Sequence, residues 1–170
     1  MSDKIAFIGV GNMGNPMAEN LLKSGKKIKV FDVSNEMIEQ AKKKGLNTAD
    51  SIESLINNEI STVITMLPEG KHSKEIYLGD SGIINKVSKD CLLIDCSTID
   101  IETSKEIGKA ANNQGIMMID APVSGGVMGA QKATLNIMVG GSKEAFDRAL
   151  PLLKVMGKNI YHAGDIGSGN

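Results

Sequence analysis

The segment Gly9-Val10-Gly11-Asn12-Met13-Gly14 sits between a short apolar run, Lys4–Gly9 (KIAFIG), and a helical pattern over Asn12–Ser24. A glycine turn placed directly between a strand and a helix is the opening of a dinucleotide-binding βαβ unit. Each glycine has a physical task. Gly9 is expected to make the tight turn, Gly11 to let backbone approach a pyrophosphate, and Gly14 to let the helix pack on the strand. The helix start would offer free N–H groups and a partial positive charge to the phosphates. The whole loop, Gly9, Val10, Gly11, Asn12, Met13 and Gly14, is therefore a candidate cofactor site. Eighteen positions after Gly14, Asp32 ends the next apolar run, Ile28–Asp32 (IKVFD). A carboxylate there can accept hydrogen bonds from the adenosine ribose and would repel a 2′-phosphate. No Arg or Lys stands at 33 or 34 to neutralise one, so NAD is favoured over NADP. A second reading remains open at this point, in which Asp32 only caps the turn into the following helix.

The rest of the chain keeps the same rhythm. Helices are expected over Asn35–Lys44, Ser51–Asn57, His72–Leu78, Ile101–Asn113 and Lys143–Val155. Strands are expected near Leu46–Thr48 and over Thr62–Leu67, Cys91–Asp95, Gly115–Ala121, Thr134–Val139 and Lys158–Tyr161. Ser34 and Ser142 are candidate N-caps, and Gly25 and Gly45 are helix stops. Strands alternating with helices predict right-handed crossovers and an α/β, doubly wound, Rossmann-type domain with a largely parallel sheet. With 170 residues, the expectation is a single domain over residues 1–163 and the start of an interdomain junction over 164–170.

Composition removes several functions. A net charge of −1 supplies no field for nucleic acid or an anionic membrane surface. The longest apolar runs are too short to span a bilayer, and the first residues lack the pattern of a secretory or organellar leader, so a cytoplasmic location is expected. Cys91 and Cys96 lie five apart on one predicted strand, hence on opposite faces, and read as buried free thiols. No metal-ligand spacing accompanies them, and no metal is expected. His72 and His162 read as lone surface or half-buried residues, and Lys42-Lys43-Lys44 as the solvated end of a helix. Asp120-Ala121-Pro122-Val123-Ser124-Gly125-Gly126 leaves a strand directly. From these residues alone, an ordinary turn and a nest of N–H groups for a carboxylate are both open readings.

The stretches IAFIGVGNMGNPMAENLLKSG, TMLP, IDCSTID, DAPVSGGVMGAQKATLNIMVGG and GDIGSGN resemble the β-hydroxyacid dehydrogenases, most closely their 3-hydroxyisobutyrate dehydrogenase branch. The resemblance runs from Ile5 to Asn170. It implies hydride transfer between NAD and a small 3-hydroxy acid, as in 3-hydroxyisobutyrate to methylmalonate semialdehyde, by a homo-oligomeric enzyme. Alternatives are a reductase of tartronate or succinic semialdehyde, or a nucleotide-binding module without catalysis. Leu67, Pro68 and Thr98 would line the cofactor toward the nicotinamide, and Ser124, Gly125 and Gly126 would bind the substrate carboxylate. His72 falls where a small polar cofactor contact is expected. Ala133 stands where the family often has glycine, so a positive φ there would be strained. The resemblance further implies an all-helical second domain and a catalytic lysine three positions beyond Asn170, so no catalytic residue is assigned within these 170 residues. An apolar face near the last strand is expected to be exposed, with self-association or a loose C-terminal tail as the consequence.

Overall fold

The computed structural model describes residues 3–170. Its elements, in chain order, are β1 (Lys4–Ile8), α1 (Gly14–Lys23), β2 (Lys27–Phe31), α2 (Asn35–Lys43), β3 (Asn47–Thr48), α3 (Ile52–Leu55) and β4 (Thr62–Thr65). There follow α4 (Gly70–Leu78), β5 (Leu92–Asp95), α5 (Ile101–Asn113), β6 (Met117–Asp120), β7 (Val123–Ser124), α6 (Gly126–Lys132), β8 (Leu135–Gly140), α7 (Lys143–Met156) and β9 (Gly157–Gly164). The strands form one sheet in the order β3-β2-β1-β4-β5-β6-β8-β7, with β9 on β8. Strands β1 to β6 pair in parallel, β8 runs antiparallel to β6 and β7, and β9 is parallel to β8. The largely parallel, doubly wound sheet read from the sequence is the observed one.

Alternation along each strand divides the core into two layers. From β1, Ile5 and Phe7 join one cluster while Ala6 and Ile8 join the other. Central strands β4 and β5 are buried along their whole length, as a sheet covered on both faces requires. Cys91 and Cys96 flank β5, both fully buried, and fall into opposite clusters. Burial pushes the Cys91 thiol up to about 12 and raises Cys96 also.

Helix starts follow their caps. Ser34 Oγ accepts from Met37 N at the start of α2, Asp100 Oδ1 from Thr103 N at α5, and Ser142 Oγ from Ala145 N at α7. Helix α1 begins at Gly14 rather than Asn12, which leaves Pro16 in the first turn, where its missing N–H is harmless.

The segment after β6 departs from expectation. Residues 123–132, where the sequence offers a turn or a nest of N–H groups up to Gly126 and no regular element, form the short strand β7 and the seven-residue helix α6. Asn20 Nδ2 of α1 donates to Ala130 O across 2.7 Å, tying α6 down. Helix α6 ends at Ala133 in a left-handed conformation, φ 57° and ψ 38°. It is the only non-glycine residue with positive φ among the described residues.

The tail also differs from the loose end expected. Gly167 N donates to Asp120 Oδ1 (2.7 Å), and Gly169 N (2.9 Å) and Asn170 N (3.1 Å) donate to Asp120 Oδ2. Asn170 Nδ2 reaches Ser104 Oγ, and its Oδ1 accepts from Ile99 N. A buried carboxylate collects the amides of a turn, so the tail is pinned to β6 and α5. The expected apolar exposure is present nearby: Met138 and Tyr161 are register partners on β8 and β9, 42% and 54% exposed.

Candidate functional site

In an open parallel sheet, a crevice forms where successive crossovers leave one strand in opposite directions, outside the carboxyl ends of the strands. Here the chain leaves β1 toward β2 and later returns to β4 on the other side of β1. A cavity of about 430 Å³ lies at that point. The glycine loop forms its base through Gly9, Gly11, Asn12, Met13 and Gly14, and Phe31, Asp32 and Val33 its β2 side. Met66, Leu67 and Pro68 lie on the β4 side, with His72, Glu75 and Ile76 of α4.

The three glycines are required for different reasons. Gly9 has φ +97°, and a Cβ on it would strike the Met66 carbonyl. A Cβ on Gly14 would strike the Gly9 carbonyl, and Phe7 Cε1 lies 3.2 Å from the same point. These two positions are closed by the protein itself. Gly11 is not: a Cβ there meets no protein atom within 4 Å, and its φ is not positive. The missing side chain at Gly11 therefore opens the cavity and satisfies no packing demand, which suits close approach of a ligand's phosphates.

Asp32 holds this loop in shape. Its Oδ2 accepts from Val10 N at 2.9 Å and its Oδ1 from Ser34 N at 2.8 Å. The turn-capping role is thus realised, each oxygen has further acceptor capacity, and Asp32 lines the cavity. Val10 contributes only that amide, because its side chain is buried in the core.

The β4 side rests on a chain of buried polar groups. Leu67 N donates to Ser97 Oγ at 2.8 Å, and Ser97 N donates to Asp95 Oδ1 at 3.0 Å. Thr65 Oγ1 donates to the same Asp95 oxygen at 2.9 Å and lies 2.8 Å from the Tyr77 hydroxyl of α4. All four side chains are buried. Burial raises the Asp95 carboxyl above its ordinary range, while hydrogen bonds from Ser97 and Thr65 oppose the shift.

Of the residues read from the sequence, Gly9, Gly11, Asn12, Met13, Gly14, Asp32, Leu67 and Pro68 converge on one cavity, and His72 joins them. Thr98 is exposed just beyond Ser97 and does not line it. Ser124, Gly125 and Gly126 are exposed at the carboxyl end of β6, two strands further along the sheet from β4, and lie outside the cavity. Glu75 and Ile76 were not anticipated, although they share a helix face with His72 at spacings of three and four, a signal present in the sequence. Ser97 and Asp95 gave no comparable signal, because their partners stand 30 residues away.

Residues 4–164 match the family described as the NAD binding domain of 6-phosphogluconate dehydrogenase. The chain is 48% identical to 3-hydroxyisobutyrate dehydrogenase of Pseudomonas aeruginosa, over 97% of this chain and 55% of that protein. It is 43% identical to NAD-dependent L-serine dehydrogenase of the same organism, over 98% of this chain and 55% of that protein. The structure of Mycobacterium tuberculosis 3-hydroxyisobutyrate dehydrogenase with L-serine superposes with a TM-score of 0.93 at 38% identity, covering 99% of this chain and 57% of that one. The chain spans about half the length of the curated relatives it matches.

Proposed function

Because the chain belongs to the family of NAD-binding domains described for 6-phosphogluconate dehydrogenase, we propose that it is the cofactor-holding half of an NAD-dependent 3-hydroxyacid dehydrogenase. The observation that carries this reading is Gly11, whose absent side chain leaves open space at the start of α1, beside the Asp32 carboxylate. Asp32 would accept from the adenosine ribose with its remaining lone pairs. The backbone at Asn12 and Met13 and the Gly14 amide at the start of α1 would face the pyrophosphate, stabilised by the helix dipole. Leu67 and Pro68 would flank the nicotinamide side, with Thr98 beyond them. Bound NAD supplies the hydride acceptor. Ser124, Gly125 and Gly126, at the end of β6, would hold the substrate carboxylate further along the same edge of the sheet.

The favoured substrate is 3-hydroxyisobutyrate, after the relatives of that name. L-serine is the second reading, because one relative is named for it and one solved relative contains it. Both are 3-hydroxy carboxylates and ask the same of the site. In this reading the hydroxyl proton goes to a lysine in the second half of such enzymes, and the residues of this chain hold the cofactor.

Gly11→Ala tests the site. The variant is expected to fold as the parent does, since its methyl meets no protein atom. It should lose at least about tenfold in NAD affinity, roughly 1.4 kcal/mol. Calorimetric titration with NAD reads the loss. Unchanged affinity would overturn the assignment of the cavity, and dehydrogenase turnover by the 170-residue chain would overturn the division of labour.

A further inference from the structure

The cavity runs from Asp32 on the β2 side, across the β1 loop, to Leu67 and Pro68 on the β4 side. If the adenosine lies at Asp32 and the pyrophosphate over Gly11, the remaining part of the dinucleotide must cross β4 toward β5. Two segments come together there: Met66–Pro68 after β4 lines the cavity, and Ser97 after β5 lies behind it. They are not independent. The amide of Leu67 is bound to the hydroxyl of Ser97, a fully buried side chain. Ser97 is in turn held through its own amide by Asp95, which Thr65 also binds. On the other face, the Met66 carbonyl abuts Gly9 so closely that no Cβ fits between them. The backbone at 66–67 is thus clamped between the glycine loop and Ser97.

We propose that Ser97 is a positioning residue for the nicotinamide half of the cofactor, locking the loops after β4 and β5 into one rigid wall. This deepens the NAD-site reading and rests on it. Ser97 touches no cofactor atom; it acts through Leu67 and through its neighbour Thr98. The adenosine half is held by Asp32 and the glycine loop, which Ser97 does not contact. Loss of the hydroxyl therefore separates the two halves of the ligand, which a general loss of structure would not do.

The test compares NAD with ADP, which lacks the nicotinamide nucleoside, on the parent chain and on Ser97→Ala by calorimetry. The expected result is a loss of about tenfold for NAD with ADP binding unchanged within about twofold. Equal losses for both ligands, or no loss for either, overturn the proposal. A parent chain that binds neither ligand overturns the NAD-site reading beneath it, and the two failures are thereby distinct. Amide exchange on the parent chain gives a measurement that needs no variant. Leu67 N–H, bonded to a buried hydroxyl, should exchange slowly without ligand and remain as slow with ADP. Rapid exchange of Leu67 in the free chain overturns the rigid wall whether or not Ser97→Ala folds.

Discussion

Single residues carry strain and chemistry that the composition does not reveal. Ala133 caps α6 with φ 57°, a conformation in which a Cβ crowds the following carbonyl and glycine does not suffer. Ala133→Gly should raise stability by about 1 kcal/mol, read as a higher denaturation midpoint with an unchanged slope. The family resemblance pointed to this position, and the structure explains it by the αL cap. The two thiols give a second expectation at this scale. Burial raises the folded pKa of Cys91 from 9.0 to about 12, above that of the unfolded thiol. Stability from that thiol is therefore complete below about pH 9 and lost as pH rises toward 12. The slope should be about 1.4 kcal/mol per pH unit for this group. Denaturant melts between pH 8 and 11 measure it, and a Cys91→Ala variant should show a shallower decline. The legible part here was burial on opposite strand faces; the size of the effect needs the packed core.

At the scale of elements, hydrophobic period and caps placed most helices and strands. The reading failed where local signals were faint. Helix α6 is only seven residues long, begins at Gly126 and contains Gly129. No propensity argument makes such a segment helical alone. Its contact with α1 through Asn20 and Ala130 does so. Helix α7 shows the opposite balance. Pro151 interrupts a fourteen-residue helix at an exposed position, yet the helix continues because Ala149, Leu152, Leu153 and Met156 are buried on both sides of it. Pro151→Ala restores a backbone donor and removes a steric conflict. Thermal unfolding should show a gain of about 1–3 kcal/mol, with cofactor binding unaffected.

At the scale of the molecule, the C-terminal segment belongs to the sheet. Asp120 accepts from the amides of Gly167, Gly169 and Asn170, 47 to 50 residues along the chain. Asn170 extends the connection to α5 and to the loop after β5. This places the end of the segment against Asp120 at the end of β6 and against Ile99, the residue after Thr98. Asp120→Asn puts an amide NH₂ where backbone N–H groups already point. The expected cost is about 1.5–3 kcal/mol of stability, with faster amide exchange at 167–170. Exchange at Gly11 and Met13 should stay as in the parent chain, because the glycine loop is anchored separately by Asp32.

The sequence by itself determined the alternation of strands and helices outside residues 123–132, the largely parallel doubly wound sheet, and the glycine loop with its acidic partner. These are local features: a glycine turn, a capped helix and an alternating strand each act within a few residues, so they can be read along the chain. What only the tertiary structure decided was which polar groups meet. Asp120 reads as the head of a substrate loop and serves as the anchor of the tail. Ser97 reads as part of a motif and holds an amide 30 residues upstream. A buried polar atom must find a partner wherever the packed chain offers one, and that choice is made by the fold as a whole.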